Sequence, residues 1–235
     1  MYDKETLESY ASFSNIMKIL KKDSQFNQFC RQRRVSPGTT ETLDNTRKTC
    51  LLIESGYVKS SFSGDDDTFR VFYIATPGDF LTLPIVTEYI PRSTDLLAIS
   101  DGVWWEIDFG YLRKMLALED PRNYVMLQHA VKIRYKMYVL ATVRSRIITA
   151  EQRVYFSLMR LSTIGMHVQN NKVELPPFVN YVTIAQLSDA SKSYVTIVLK
   201  KLRDEGILTS TKKPWVIEDL DAIKKLADFP DMPLF

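Results

Sequence analysis

Two short apolar stripes at helical spacing, separated by a polar break, limit what the C-terminal third of this chain can fold into. In Val182-Thr183-Ile184-Ala185-Gln186-Leu187, Ile184 and Leu187 fall on one helical face. Ser188-Asp189-Ala190 interrupts the pattern, and Val195, Val198, Leu199 and Leu202 then resume it in a second stripe. The spacing predicts a helix-turn-helix. Ser191 stands where an N-cap hydroxyl satisfies the free amides that open the second helix, and Asn180 stands likewise before the first. Lys192, Ser193, Thr196 and Lys200 are left polar on the N-terminal and outer surface of the second helix. Gly206 ends it. Beyond, Ile207-Leu208-Thr209-Ser210 and Trp215-Val216-Ile217 flank Thr211-Lys212-Lys213-Pro214, which reads as a two-stranded ribbon with a basic tip, a wing. On these residues alone two readings stand. One is a recognition helix whose N-terminal end enters the major groove of double-stranded DNA; the other is an ordinary helix pair packed into a core.

A net charge of only +3 means that affinity for a polyanion must come from a local surface, and the segment from Lys192 to Lys213 supplies one. With 235 residues, 45% hydrophobic and 25% charged, the chain has the composition of one large or two modest globular domains. No apolar run reaches the length of a membrane span, and the N-terminus has no signal-peptide pattern, so a cytoplasmic location away from membranes is expected. Cys30 and Cys50 are the only cysteines and lack the close spacing of a metal or cluster site; His129 and His167 are the only histidines. No metal and no cofactor are expected. The acidic run Asp65-Asp66-Asp67 after Ser63-Gly64 reads as a solvated turn. There is no Gly-rich phosphate loop and no nucleophile with a histidine partner, which argues against an enzyme.

From Thr6 to about Gln32, Leu7, Tyr10, Phe13, Ile16, Ile19 and Leu20 predict short amphipathic helices. Residues 33–107 change pattern. Short apolar stretches at 49–53, 57–62, 69–74, 95–99 and 103–107, separated by Gly- and Pro-bearing turns, predict an antiparallel barrel or jelly roll. A short helix is expected over 109–118. Asp120-Pro121 then opens a long helix running to Ile148. Along it Met126, Ala130, Ile133, Met137, Leu140 and Ile147 alternate by four and three, with Arg144 the polar interruption, as in a coiled-coil seam. Such a seam pairs with a second copy or is buried within one chain; both remain open. Thr149-Ala150-Glu151-Gln152 has capping-box form and starts the next helix, which reaches Gly165 and leaves a hinge near Thr149. Residues 173–177 then form a short strand or extended link. The expected class is α+β, in three parts: N-terminal helices and barrel over 1–119, the long helix over 120–148, and the winged helix-turn-helix over 149–235.

A β-barrel, a long helix and a winged helix-turn-helix in that order resemble the CRP/FNR family of bacterial transcription regulators. The resemblance rests on Ile53-Glu54-Ser55-Gly56-Tyr57-Val58-Lys59, on Pro77-Gly78-Asp79-Phe80, and on residues 195–202 followed by Gly206-Ile207-Leu208. It implies a jelly-roll, cyclic-nucleotide-binding-like domain, a homodimer on a two-fold symmetric DNA site, and contact with RNA polymerase if the protein activates transcription. Where cyclic-nucleotide-binding members carry a Gly-Glu pair that holds the ribose, this chain carries Thr82 and Leu83, so any effector is expected to be other than cyclic AMP and is of unknown identity. Arg92 and Ser93 resemble the family's phosphate-binding pair, and Arg134 and Tyr138 match helix positions lining the pocket. A surface salt bridge for Arg92 and a strand start at Ser93 is the competing reading. The N-terminal cysteine cluster of iron-sulfur members is absent, while a redox pair of Cys30 and Cys50 stays open beside two inert buried thiols. The family's reading helix often runs Ser-Arg-Glu-x-Val-x-Arg; here Ser191-Lys192-Ser193-Tyr194-Val195-Thr196-Ile197 keeps one cation and loses the acid and the second arginine. A different target sequence, or weaker discrimination, is therefore expected, with Tyr194, Thr196 and Lys200 contacting the DNA backbone and Lys212 and Lys213 adding salt-dependent affinity. The alternative function is a ligand-binding regulatory module whose winged helix mediates protein contacts.

Overall fold

Leu51, Leu52, Ile53, Trp104, Trp105 and Ile107 are all buried, so the strands that carry them are covered on both faces. The computed structural model describes residues 4–43, 48–63, 69–82, 94–209 and 212–228. Helices α1 (Lys4–Ala11), α2 (Phe13–Leu20) and α3 (Phe26–Phe29) open the chain. Strands β1 (Cys30–Val35), β2 (Thr40–Leu43), β3 (Thr49–Ser55), β4 (Val58–Ser63), β5 (Phe69–Ala75), β6 (Phe80–Thr82), β7 (Thr94–Ala98) and β8 (Gly102–Asp108) follow. They form two four-stranded sheets, ordered β1-β8-β3-β6 and β2-β7-β4-β5, in which β8 pairs antiparallel with β1 and β3, β3 with β6, and β7 with β2 and β4.

Strand alternation assigns the two faces of the first sheet. Leu51, Ile53 and Trp104 point into a core shared with Val58, Ala75, Leu96 and Ala98 of the second sheet. Cys50, Leu52, Trp105 and Ile107 point the other way, against Ile16, Leu20, Tyr111, Leu112 and Leu127 of the covering helices. Each fully buried side chain of this size contributes about 1.5–3 kcal/mol. The expected barrel is thus corrected to an open two-sheet sandwich: among the described residues the sheets share a core but are not closed into a barrel. Another correction concerns Cys30–Val35, whose first three residues, to about Gln32, are expected from the sequence to belong to the N-terminal helices. It is an edge strand, because pairing with β8 from Cys30↔Ile107 to Val35↔Gly102 outweighs a polar sequence with little strand character. Gly56 turns the chain between β3 and β4 at φ +90°, where an added Cβ would lie 2.7 Å from the Asp101 carbonyl oxygen.

Asp108 caps α4 (Phe109–Glu119) by accepting from the Tyr111 amide at 2.8 Å. Asp120 opens the 25-residue α5 (Pro121–Ser145) by accepting from the Arg122 amide at 2.9 Å. Contacts divide the described chain within α5, between residues 136 and 137, with 69–71 grouping with the C-terminal unit. That second unit holds α6 (Ala150–Ser162), β9 (Met166–Gln169), β10 (Lys172–Glu174), α7 (Tyr181–Ser188), α8 (Lys192–Asp204), β11 (Val216–Ile217) and α9 (Leu220–Leu226). The capping box at Thr149 and Gln152 is complete in both directions. His167 lies on β9, which pairs with β10 in a three-stranded sheet that β11 completes. Val195, Val198, Leu199 and Leu202 of α8 are buried in the core of this unit, as are Ile184 of α7 and Leu158 of α6. None of the described helices is long and apolar enough to cross a membrane.

Candidate nucleic-acid interface

The α7–α8 pair is fixed by local chemistry at both helix starts and by an arginine at the turn. Asn180 Oδ1 accepts from the Thr183 amide at 2.9 Å while its Nδ2 donates to the Phe178 carbonyl at 3.2 Å, so both ends of this amide are engaged in starting α7. Ser191 Oγ accepts from the Tyr194 amide at 3.2 Å and starts α8. Between the helices Asp189 adopts the left-handed conformation, φ 49° and ψ 49°, which closes α7. The carbonyls freed there are taken by Arg153 of α6: Nε donates to Ser188 at 2.7 Å and Nη2 to Asp189 at 3.2 Å, while Nη1 reaches Ile148 at 3.4 Å. No local sequence pattern marks Arg153 for this role, because its partners at the turn lie 35 and 36 residues away.

A second arginine joins both helices to the hairpin after α8. Arg203 donates to the Tyr181 hydroxyl at 3.0 Å and lies over the rings of Tyr181 and Trp215, at 5.7 and 5.2 Å from their centroids. The hairpin itself is short. Leu208 bridges Ile217, the Thr209 amide donates to Val216 at 2.8 Å, and the Glu218 amide donates to Ile207 at 2.8 Å. Of the expected ribbon, Ser210 and Thr211 lie outside the described residues. Lys212 and Lys213 are exposed beside the tip, with Lys213 Nζ donating to the Pro177 carbonyl at 3.3 Å.

With the apolar stripe of α8 buried, Lys192, Ser193, Thr196, Ile197, Lys200 and Lys201 face solvent. Tyr194 is half-buried. Thr196 Oγ1 donates back to the Lys192 carbonyl at 2.9 Å. Lys201 is held at 2.9 Å by Glu151, whose carboxylate also accepts from the Tyr155 hydroxyl at 2.5 Å. These two partners, Tyr155 first, keep the Glu151 carboxyl below the usual carboxylate range, and Glu151 in turn raises Lys201. From Lys192 to Arg203 the outer helix surface therefore carries lysines and no acid.

The residues expected to line an effector pocket divide. Arg92 and Ser93 lie outside the described residues, as do Leu83 and the acidic run 65–67, and the side chain of Tyr138 is not among those described. Arg134 forms an ion pair with Asp79, which is only 4% exposed and belongs to the turn between β5 and β6. Pro77 and Gly78, the latter at φ +91°, shape that turn, and the Asp79 amide closes it on the Thr76 carbonyl at 3.0 Å. The other Asp79 oxygen accepts from the Thr76 amide at 2.7 Å and hydroxyl at 3.1 Å. Burial raises the Tyr73 hydroxyl, opposed by a hydrogen bond with Ser60 and by the nearby charge of Arg134. The expected seam on α5 is partly on the surface: Ile133 is 52% exposed, Leu140 38% and Ile147, just past the helix end, 77%. Met126 is only 5% exposed, buried within its own chain, Ala130 is intermediate, and the side chain of Met137 is not described.

Cys30 and Cys50 both lie opposite Ile107, on the two strands that flank β8. Two strand spacings put their Cα atoms roughly 10 Å apart, beyond the ~7 Å limit of a disulfide. Burial, reinforced by Asp108, pushes the Cys30 thiol up to about 12 and that of Cys50 higher still. The geometry leaves two inert thiols.

No protein-family model matches this chain, and no curated protein matches it in sequence. Solved structures do match it in fold, among them a transcriptional regulator of the CRP family. A cyclic nucleotide-binding domain containing protein from Listeria monocytogenes EGD-e superposes with a TM-score of 0.74 at 18% identity, over 89% of this chain and 98% of its own. FixK2 from Bradyrhizobium japonicum gives 0.68 at 15% identity, over 84% and 96%. TTHB099, a transcriptional regulator of the CRP family from Thermus thermophilus, gives 0.66 at 17% identity, over 84% and 97%. At these identities the likeness is one of fold.

Proposed function

We propose that this chain is a DNA-binding transcription regulator that acts as a homodimer on a two-fold symmetric site, under the control of an effector other than cyclic AMP. The observation that carries the proposal is the outer surface of α8. It is cationic, free of acid as far as Arg203, and presented by a helix whose start, turn and inner face are each fixed by named contacts. Such a helix, followed by a hairpin with two lysines, is suited to a major groove with phosphates on either side, a winged helix-turn-helix. The exposed apolar row of Ile133, Leu140 and Ile147 supplies a surface for the same row of a second copy, and two-fold pairing would present two reading helices to one duplex. The function thus divides among a sandwich that senses, a long helix that dimerises and a C-terminal part that binds DNA. Arg134 is the cationic group for an anionic effector, which would have to displace Asp79 to reach it. Contact with RNA polymerase follows if the protein activates.

The test is selection of bound duplexes from a random pool by the purified chain at physiological salt. A two-fold symmetric motif with half-site centres about one helical turn apart is the expected result. Recovery of sequence-independent binding alone, with and without cell-extract small molecules, would remove the proposal.

A further inference from the structure

Ile197 stands apart from every other apolar residue of α8. Val195, Val198, Leu199 and Leu202 are buried, whereas Ile197 is 65% exposed. Single exposed apolar residues are common on proteins and alone mean little. This one, however, lies at the middle of the cationic face. Ser193 precedes it by one turn, Lys200 and Lys201 follow by one, and Thr196 adjoins it. A β-branched side chain is a poorer helix former than the lysines around it, so at a purely solvated position it gains nothing for α8. Hydrogen-bonding capacity is also thin here, since the Thr196 hydroxyl proton is given to the Lys192 carbonyl.

An apolar group at the centre of a groove-facing surface has one partner among the base edges. In the major groove only thymine presents an apolar group, its 5-methyl; the other edges present donors and acceptors that an isoleucine would leave unpaired. We infer that Ile197 is a specificity-determining residue that packs on a thymine 5-methyl group in each half-site. Lys200 holds a phosphate, and the isoleucine excludes the other bases by leaving their polar edges without a partner. This inference rests on the DNA-binding reading given above and adds what α8 reads.

The test uses the duplex recovered by selection, with each thymine replaced in turn by deoxyuridine, symmetrically in both half-sites. That change removes one methyl group and leaves base pairing and charge intact. One position should weaken binding about fourfold per half-site, or about fifteenfold for the symmetric pair, the effect of losing one buried methyl. Ile197→Ala should lose a similar factor on the thymine duplex, keep its melting temperature because the side chain is exposed, and no longer distinguish thymine from deoxyuridine there. Selective binding by the unaltered protein that ignores every deoxyuridine, or an Ile197→Ala variant that keeps the full methyl effect, would overturn the inference while leaving DNA binding intact. Failure to select any motif would overturn both.

Discussion

Arg153 of α6 holds the turn of the two-helix element through its guanidinium. It donates to carbonyls of Ser188, Asp189 and Ile148, groups that the end of α7 and the segment before α6 cannot satisfy within themselves. Arg153→Met keeps the stem and removes all three bonds. The expected cost is about 1–3 kcal/mol, since hydrogen bonds from a charged donor are at the upper end of the usual range. Thermal melting would register this as a drop of several degrees, accompanied by faster amide exchange at residues 188–190; an unchanged melting temperature would mean that water replaces the guanidinium. At the cysteines the expectation is inertness. With the Cys30 thiol up at about 12 and Cys50 beyond it, iodoacetamide at pH 8 should leave both unmodified in the native protein and alkylate both in urea, as read by mass spectrometry. Neither residue role was legible in the sequence. The spacing of Cys30 and Cys50 left a redox pair open, and only their register opposite Ile107 separates them. Nor does anything in the sequence tie Asp79 to Arg134; that ion pair exists because a β-turn and a helix meet in the fold.

Among elements, those whose determinants are local could be read in advance. Asn180, Ser191, Asp120 and the Thr149–Gln152 box each cap a helix through residues two or three positions away, so sequence order alone contains the interaction. Strands β1, β2 and β6 could not be found this way. Their partners are β8, β7 and β3, and Cys30-Arg31-Gln32-Arg33-Arg34-Val35 has neither alternation nor strong β propensity without its ladder. The contact between α6 and α8 lies between these cases and is open to titration. Glu151 is held ionised below the usual range by Tyr155 and Lys201, so its contribution is complete above about pH 4.5 and is lost as pH falls through its folded value. Glu151→Gln should therefore lower the melting temperature at pH 7, and the difference from the unaltered protein should shrink toward pH 3. A difference independent of pH would assign the effect to shape rather than charge. For α5, charging the exposed row by Ile133→Glu with Leu140→Glu should convert a dimer to a monomer in sedimentation equilibrium and weaken binding to a symmetric duplex by at least tenfold. A dimer that survives both changes would place the partner surface elsewhere.

In the whole molecule, the order of parts was legible because periodicity changes along the chain, from helical to strand spacing and back. The closure of the strands was not. Whether two sheets close or stay open depends on edge pairings that short apolar runs do not specify, and here β1 and β6 end one sheet while β2 and β5 end the other. The likeness to the Listeria monocytogenes protein covers both units of the chain. The proposed function rests on one surface, the outer face of α8, and the inert thiols allow a test of whether that surface lies on DNA. Ser193→Cys introduces an exposed thiol on that face, one turn before Ile197 and distinguishable from buried Cys30 and Cys50, to which an iron chelate that cleaves DNA can be attached. On the selected duplex, cleavage is expected in two symmetric clusters about one helical turn apart, and absent when the same chelate is carried by Lys18→Cys on α2. Cleavage that is equal from both positions, or absent from Ser193→Cys on a duplex the protein binds, would contradict the assignment of α8 as the element that reads DNA.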